Sequence, residues 1–127
     1  MDTPQSTEAY LTCLIKMMSF IDAVQYPKTS TFSRDQLAAI TAEQVATFLN
    51  KKAFGTQVPG PEDHPRAMRA SSLAFIKKAI SQFMPLHSMP WDDINLRGNP
   101  TRSTAVNEVI SKVKKFEVRQ DGVSSQA

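Results

Sequence analysis

Leu73-Ala74-Phe75-Ile76-Lys77-Lys78-Ala79-Ile80-Ser81-Gln82-Phe83 is the stretch on which the fold class turns. Leu73, Ile76, Ile80 and Phe83 recur at three- and four-residue spacing, which places them on one stripe of a helix and fits no strand. Lys77 and Lys78 lie outside that stripe, as do Ser71 and Ser72 just upstream and Arg66 and Arg69 before them. The pattern predicts a helix from about Arg66 or Ala67 to Met84, stopped by Pro85. On the N-terminal side, residues 56–65 contain three prolines and a glycine and read as an exposed loop or hinge. On the C-terminal side, Pro85 to Pro90 break the chain before Trp91-Asp92-Asp93-Ile94-Asn95, read as one helical turn with Trp91 plugging the core.

Three further helical patterns flank this one. From Pro4 to Val24, with Thr3 as cap and Pro4 at the first helical position, Leu11, Leu14, Ile15, Met18 and Ile21 form an apolar stripe. Tyr26-Pro27 ends it. Thr41-Ala42-Glu43-Gln44 has the form of a capping box opening a helix of ten to twelve residues, with Val45, Phe48 and Leu49 inward and Gly55 as its stop. The last pattern starts at a cap on Thr101 or Ser103 and faces Val106, Val109 or Ile110, Val113 and Phe116 inward. Its outer side carries Lys112, Lys114 and Lys115. Beyond Arg119 the periodicity stops, so residues 120–127 are expected to be a frayed linker. No stretch sustains the two-residue alternation of a strand. The expectation is all-α: a compact bundle of four main helices over residues 1–119.

Composition narrows the function. At 41% hydrophobic and 21% charged residues the 127-residue chain has the make-up of a folded domain, with no apolar run near the roughly 20 residues that span a bilayer. Met1-Asp2-Thr3-Pro4 lacks the basic start of a secretory leader, and the single cysteine, Cys13, sits among apolar residues as core. An intracellular domain is expected, nuclear if the source is eukaryotic. Four scattered glycines build no phosphate loop, and two isolated histidines, His64 and His87, supply little for catalysis or metal binding. Neither cofactor, small-molecule substrate nor membrane is expected as a partner. Met17 and Met18 are expected in the core, with an adaptable binding surface as the rival reading.

The charge is uneven. Residues 1–64 carry five basic and seven acidic side chains; residues 65–127 carry ten basic and five acidic. That asymmetry points to an acidic partner, nucleic acid first.

Several segments resemble the N-terminal core-binding domain of tyrosine recombinases, the phage-integrase type with a SAM-like bundle. Glu8-Ala9-Tyr10-Leu11 through Met17-Met18-Ser19-Phe20 is similar to that family's opening helix, and Ile40-Thr41-Ala42-Glu43-Gln44-Val45 to the start of its short second helix. Arg69-Ala70-Ser71-Ser72-Leu73, leading to Phe83, looks like its helix that begins with small hydroxyl residues. Asn99-Pro100 resembles the dipeptide that closes the domain. The stretch from Arg102 to Arg119 departs from the bacterial pattern and looks more like transposon-borne Crypton recombinases.

The resemblance implies a DNA-binding half whose catalytic residues lie on a separate domain, clamping double-stranded DNA during recombination or transposition. Carried over by position, the DNA contacts are Lys16, Arg66, Arg69, Ser71, Ser72, Lys77 and Lys78. Ser71, Ser72 and the adjoining helix amides are expected to hold phosphates. Lys112, Lys114 and Lys115 add backbone attraction. The isolated domain is expected to be monomeric, and the full-length protein oligomeric on DNA. Two other readings are a helical protein–protein module, with a groove at Met17-Met18 and Trp91, and a recombinase-derived regulator without catalytic activity.

Overall fold

Thr41 and Gln44 make the reciprocal pair expected of a capping box. Thr41 Oγ1 accepts from the Gln44 amide at 3.2 Å, and Gln44 Oε1 accepts from the Thr41 amide at 3.0 Å. In the computed structural model, which describes residues 4–66 and 68–126 and the side chains of residues 7–66 and 68–120, the box starts helix α3, Ala42–Phe54. Gly55, at φ +78°, ends that helix in the left-handed conformation, its amide bonded to the Lys51 carbonyl. The other helices are α1, Pro4–Asp22; α2, Arg34–Ala38; α4, Ala70–Ser81; and α5, Thr104–Gln126, with a 3-10 turn at Pro100–Arg102. The first helix's expected cap, Thr3, lies outside the described residues. Short α2 is an addition to the expected set, opened by a second capping box between Ser33 and Gln36.

The four long helices pack together as an all-α bundle, as their stripes require. α3 lies on α5, α1 on α4, and α4 also on α5. Met17, Val45, Leu49, Leu73, Ile80, Val106 and Val113 are sealed from solvent, one or two from each long helix. Each such side chain contributes on the order of 2 kcal/mol of transfer free energy. Met17 and Met18 are both buried, so no methionine groove exists for the protein-module reading. Met17 escaped the sequence stripe because α1 buries two flanks, one against α3 and one against α4.

The start of α4 and the end of α5 differ from expectation. α4 begins at Ala70, because Arg69 is extended and the cap comes from elsewhere: Glu117 Oε2 on α5 accepts from the Ala70 amide at 2.7 Å. With Lys77 Nζ donating to Asn107 Oδ1 at 2.6 Å, that bond fixes α4 and α5 as antiparallel neighbours. The segment before α4 is tied to the core by the Arg66 amide, which donates to the Ala53 carbonyl. α5 continues as helix to Gln126, through the stretch expected to be a linker.

Trp91 does not plug the core. Asp92 and Arg97 pair as an antiparallel bridge instead of a helical turn, and Trp91 sits half-buried at its foot with Nε1 donating to Asp93. Gly98, at φ +113°, closes this hairpin. A β-carbon there would fall 2.1 Å from the Pro90 carbonyl oxygen, which no other residue tolerates.

Candidate nucleic-acid interface

The segment from Gln82 to Ser103 has little regular structure, yet one amide organises it. Asn99 is fully buried. Its Nδ2 donates to Ser81 Oγ and to the His87 carbonyl, both at 2.9 Å, and its Oδ1 accepts from the Thr101 amide and hydroxyl. The Asn99 backbone amide donates to Met89. Among the described residues no buried side-chain nitrogen or oxygen lacks a partner. Asn99-Pro100 is therefore no terminus of the fold: Asn99 caps the 3-10 turn that launches α5 into the core.

This scaffold forms one wall of a shallow cleft of about 530 Å³, whose other wall is the C-terminal half of α4. Lys77, Lys78, His87 and Arg102 line it alongside Ser81, Gln82 and Ser88, with no acidic side chain among the lining residues. Arg102 is held in place by donating from its guanidinium to the Ser88 carbonyl. His87 Nδ1 lies 2.7 Å from the Ser81 carbonyl. Lys77 keeps free ammonium hydrogens beyond the one it gives Asn107. Lys114 follows Asn107 by seven residues, two helical turns, and so shares the flank of α5 that borders α4. Lys114, Lys115 and Arg119 edge a further shallow surface lined by α5 residues alone.

Among the remaining candidates, Arg66 and Arg69 are exposed beside the start of α4, where the anion position is already taken. Glu117 occupies the Ala70 amide, and its other oxygen lies 3.8 Å from the Arg69 guanidinium. Ser71 and Ser72 are exposed, but the helix N-terminus beside them carries a carboxylate of the protein's own, against the expectation of a phosphate. Lys112 lies about 100° around α5 from Val113, off the α4 flank. Lys16 is not brought to α4 at all. It lines a groove between α1 and α3 with Lys28, Lys51 and Lys52, three lysines that the reading by sequence passed over.

His87 and Arg102 were also missed, since nothing in their local spacing marks them. Their sole signal is Arg102's position three residues after a buried asparagine. No group of three His, Cys, Asp or Glu side chains capable of holding a metal occurs among the described residues. His64 stacks on Phe116 at 5.1 Å between ring centres. Burial raises the Cys13 thiol above its ordinary pKa, and nearby Lys16 and Lys52 only partly offset that. Among the described residues no helix is long and apolar enough to cross a membrane.

The class defined by fold and surface is thus an all-α helical bundle with an acid-free basic cleft on one side. Beyond that class, no family model matches the chain, and neither a curated protein nor a solved structure matches it.

Proposed function

We propose that this bundle grips double-stranded DNA, as the non-catalytic DNA-binding domain of a tyrosine recombinase or integrase. The observation that carries the reading is the acid-free cleft, in which Lys77, Lys78 and Arg102 converge from two elements and His87 joins them. Convergent cations with spare donors attract phosphate oxygens, and a guanidinium among them can pair with a phosphate through two donors. The order of the tyrosine-recombinase-like segments along the chain supports the narrower assignment to recombination or transposition, and the stretch from Arg102 to Arg119 supports a recombinase of the Crypton kind. In that assignment, strand cleavage belongs to a separate catalytic domain, and in a eukaryotic cell the site of action is the nucleus.

Fluorescence anisotropy with generic duplex DNA tests the reading. If Lys77, Lys78, Arg102 and Lys114 each neutralise one phosphate, log affinity falls against log salt with a slope of about −3.6. Raising salt fourfold then weakens binding by about 150-fold. Lys77→Gln/Lys78→Gln/Arg102→Gln leaves one contact and a slope near −0.9. No measurable binding at low salt, or an unchanged slope in the triple variant, refutes the proposal.

A further inference from the structure

Two surfaces of this chain complement each other and do not meet within one molecule. The first is the groove between α1 and α3, about 1190 Å³, floored by Leu11, Ile15, Phe20 and Phe48. Lys16, Lys28, Lys51 and Lys52 stand around it against a single acid, Glu8. Its apolar floor suits a side chain better than a sugar–phosphate backbone, and its rim favours an occupant bearing carboxylates.

The second is the hairpin tip at Asp92–Arg97. Ile94 is 91% exposed and Leu96 57% exposed. Isolated exposed aliphatics are ordinary on protein surfaces, but these two are mounted on a stiff support. Asp92 accepts from the amides of Ile94 and Asn95 and from the Asn95 side chain, at 2.9, 3.2 and 2.7 Å. Asp93 accepts from Trp91 Nε1 at 2.7 Å. The tip therefore offers two aliphatic side chains beside two carboxylates and one cation, Arg97, a net negative charge, with little conformational freedom left to lose on docking.

We infer that the Asp92–Arg97 tip of one copy docks in the α1/α3 groove of a second copy, Ile94 and Leu96 on the apolar floor and Asp92 and Asp93 toward the lysine rim. The contact is head-to-tail: each molecule uses its tip on one neighbour and its groove on another. A loop tip covers less than a standard interface, so association is weak, with a dissociation constant on the order of 0.1–1 mM. Attraction between opposite charges makes it stronger at low salt.

Sedimentation velocity on the full chain, over a dilution series at low salt, provides the test. The wild type is expected to associate with concentration. The tip variant Ile94→Ser/Leu96→Asn and the groove variant Lys16→Glu/Lys28→Glu, all at solvent-exposed positions, are each expected to associate at least tenfold more weakly. An equimolar mixture of the two variants should recover a one-to-one complex and nothing larger, because one intact tip and one intact groove remain. A wild type that stays monomeric at about 1 mM overturns the inference. So does a tip variant that associates like the wild type, or a mixture that fails to recover the pair. A groove variant that self-associates normally but loses duplex DNA overturns it too, by making the groove a nucleic-acid surface.

Discussion

Replacing Asn99 by alanine would remove four side-chain hydrogen bonds at a position with no solvent exposure. The cost divides by where the abandoned partners lie. The Thr101 amide and hydroxyl are themselves fully buried, and stranding them costs about 2 kcal/mol together. Ser81 Oγ keeps His87 Nδ1 as a neighbour at 3.3 Å, and the exposed His87 segment can turn its carbonyl to water. These losses add about 1 kcal/mol. The expected destabilisation is thus about 3 kcal/mol, a large share of the roughly 5–15 kcal/mol that holds a domain folded. A urea titration followed by circular dichroism should show an earlier midpoint with an unchanged slope, and the melting temperature should drop by about 10 °C. Asn99→Asp keeps the acceptor for Thr101 but turns a carboxylate oxygen toward the His87 carbonyl. It should therefore be less stable than wild type at neutral pH and recover partly on acidification, as its carboxyl becomes a donor. A loss below 1 kcal/mol for Asn99→Ala would refute the reasoning, because the amide would then not organise the Gln82–Ser103 segment.

Other expectations follow from single contacts. Gly98→Ala sets a β-carbon against Pro90 and should cost at least about 2 kcal/mol in the same urea assay. Glu117→Gln keeps an acceptor for the Ala70 amide and gives up only a long ion pair with the exposed Arg69, so a change under about 1 kcal/mol is expected. Glu117→Ala removes the cap and should cost about 1 kcal/mol or more, with faster amide exchange in the first turn of α4. The three hydrogen bonds on the Asp92 carboxylate hold its pKa below the ordinary carboxylate value. Its contribution to the hairpin is thus complete above the unfolded-state pKa and lost as pH falls through the lower folded value. Amide exchange at Ile94 and Asn95 should accelerate in that acid range, and Asp92→Asn should abolish the pH dependence. The raised pKa of Cys13 predicts slow reaction with a thiol reagent at neutral pH, rising toward the unmodified rate of a free thiol only on denaturation.

What could be read from the sequence was local in origin. The stripes on α1, α3, α4 and α5, the Thr41 box, the Gly55 stop and the Ser103 cap all arise from residues three or four apart. Periodicity and side-chain chemistry suffice for those. The start of α4 was not legible, because its cap is a carboxylate 47 residues away. Trp91 was misplaced for a related reason: a bridge between Asp92 and Arg97, enabled by Gly98, overrode the helical turn that its neighbours allowed. Of the candidate interface, Lys77 and Lys78 were recognisable as the polar face of an amphipathic helix, while His87 and Arg102 join them only once Asn99 has folded the segment back. Counting charge by halves concealed the lysine groove altogether. The net-negative half contributes Lys16, Lys28, Lys51 and Lys52 to one surface, and linear charge counts carry no information about which side chains converge.

The bond from Ala70 to Glu117 also bears on the order of assembly. Because the partner that opens α4 belongs to the final helix, the first turn of α4 gains its cap only after α5 has docked. During synthesis α1 and α3 emerge before α4, but the register of α4 waits until Glu117 has been made. A fragment cut at Asn99-Pro100 would lack Val106, Val109 and Val113 as well as that cap. It should emerge as a collapsed intermediate with an undefined α4, so any expression boundary for this domain belongs beyond Glu117.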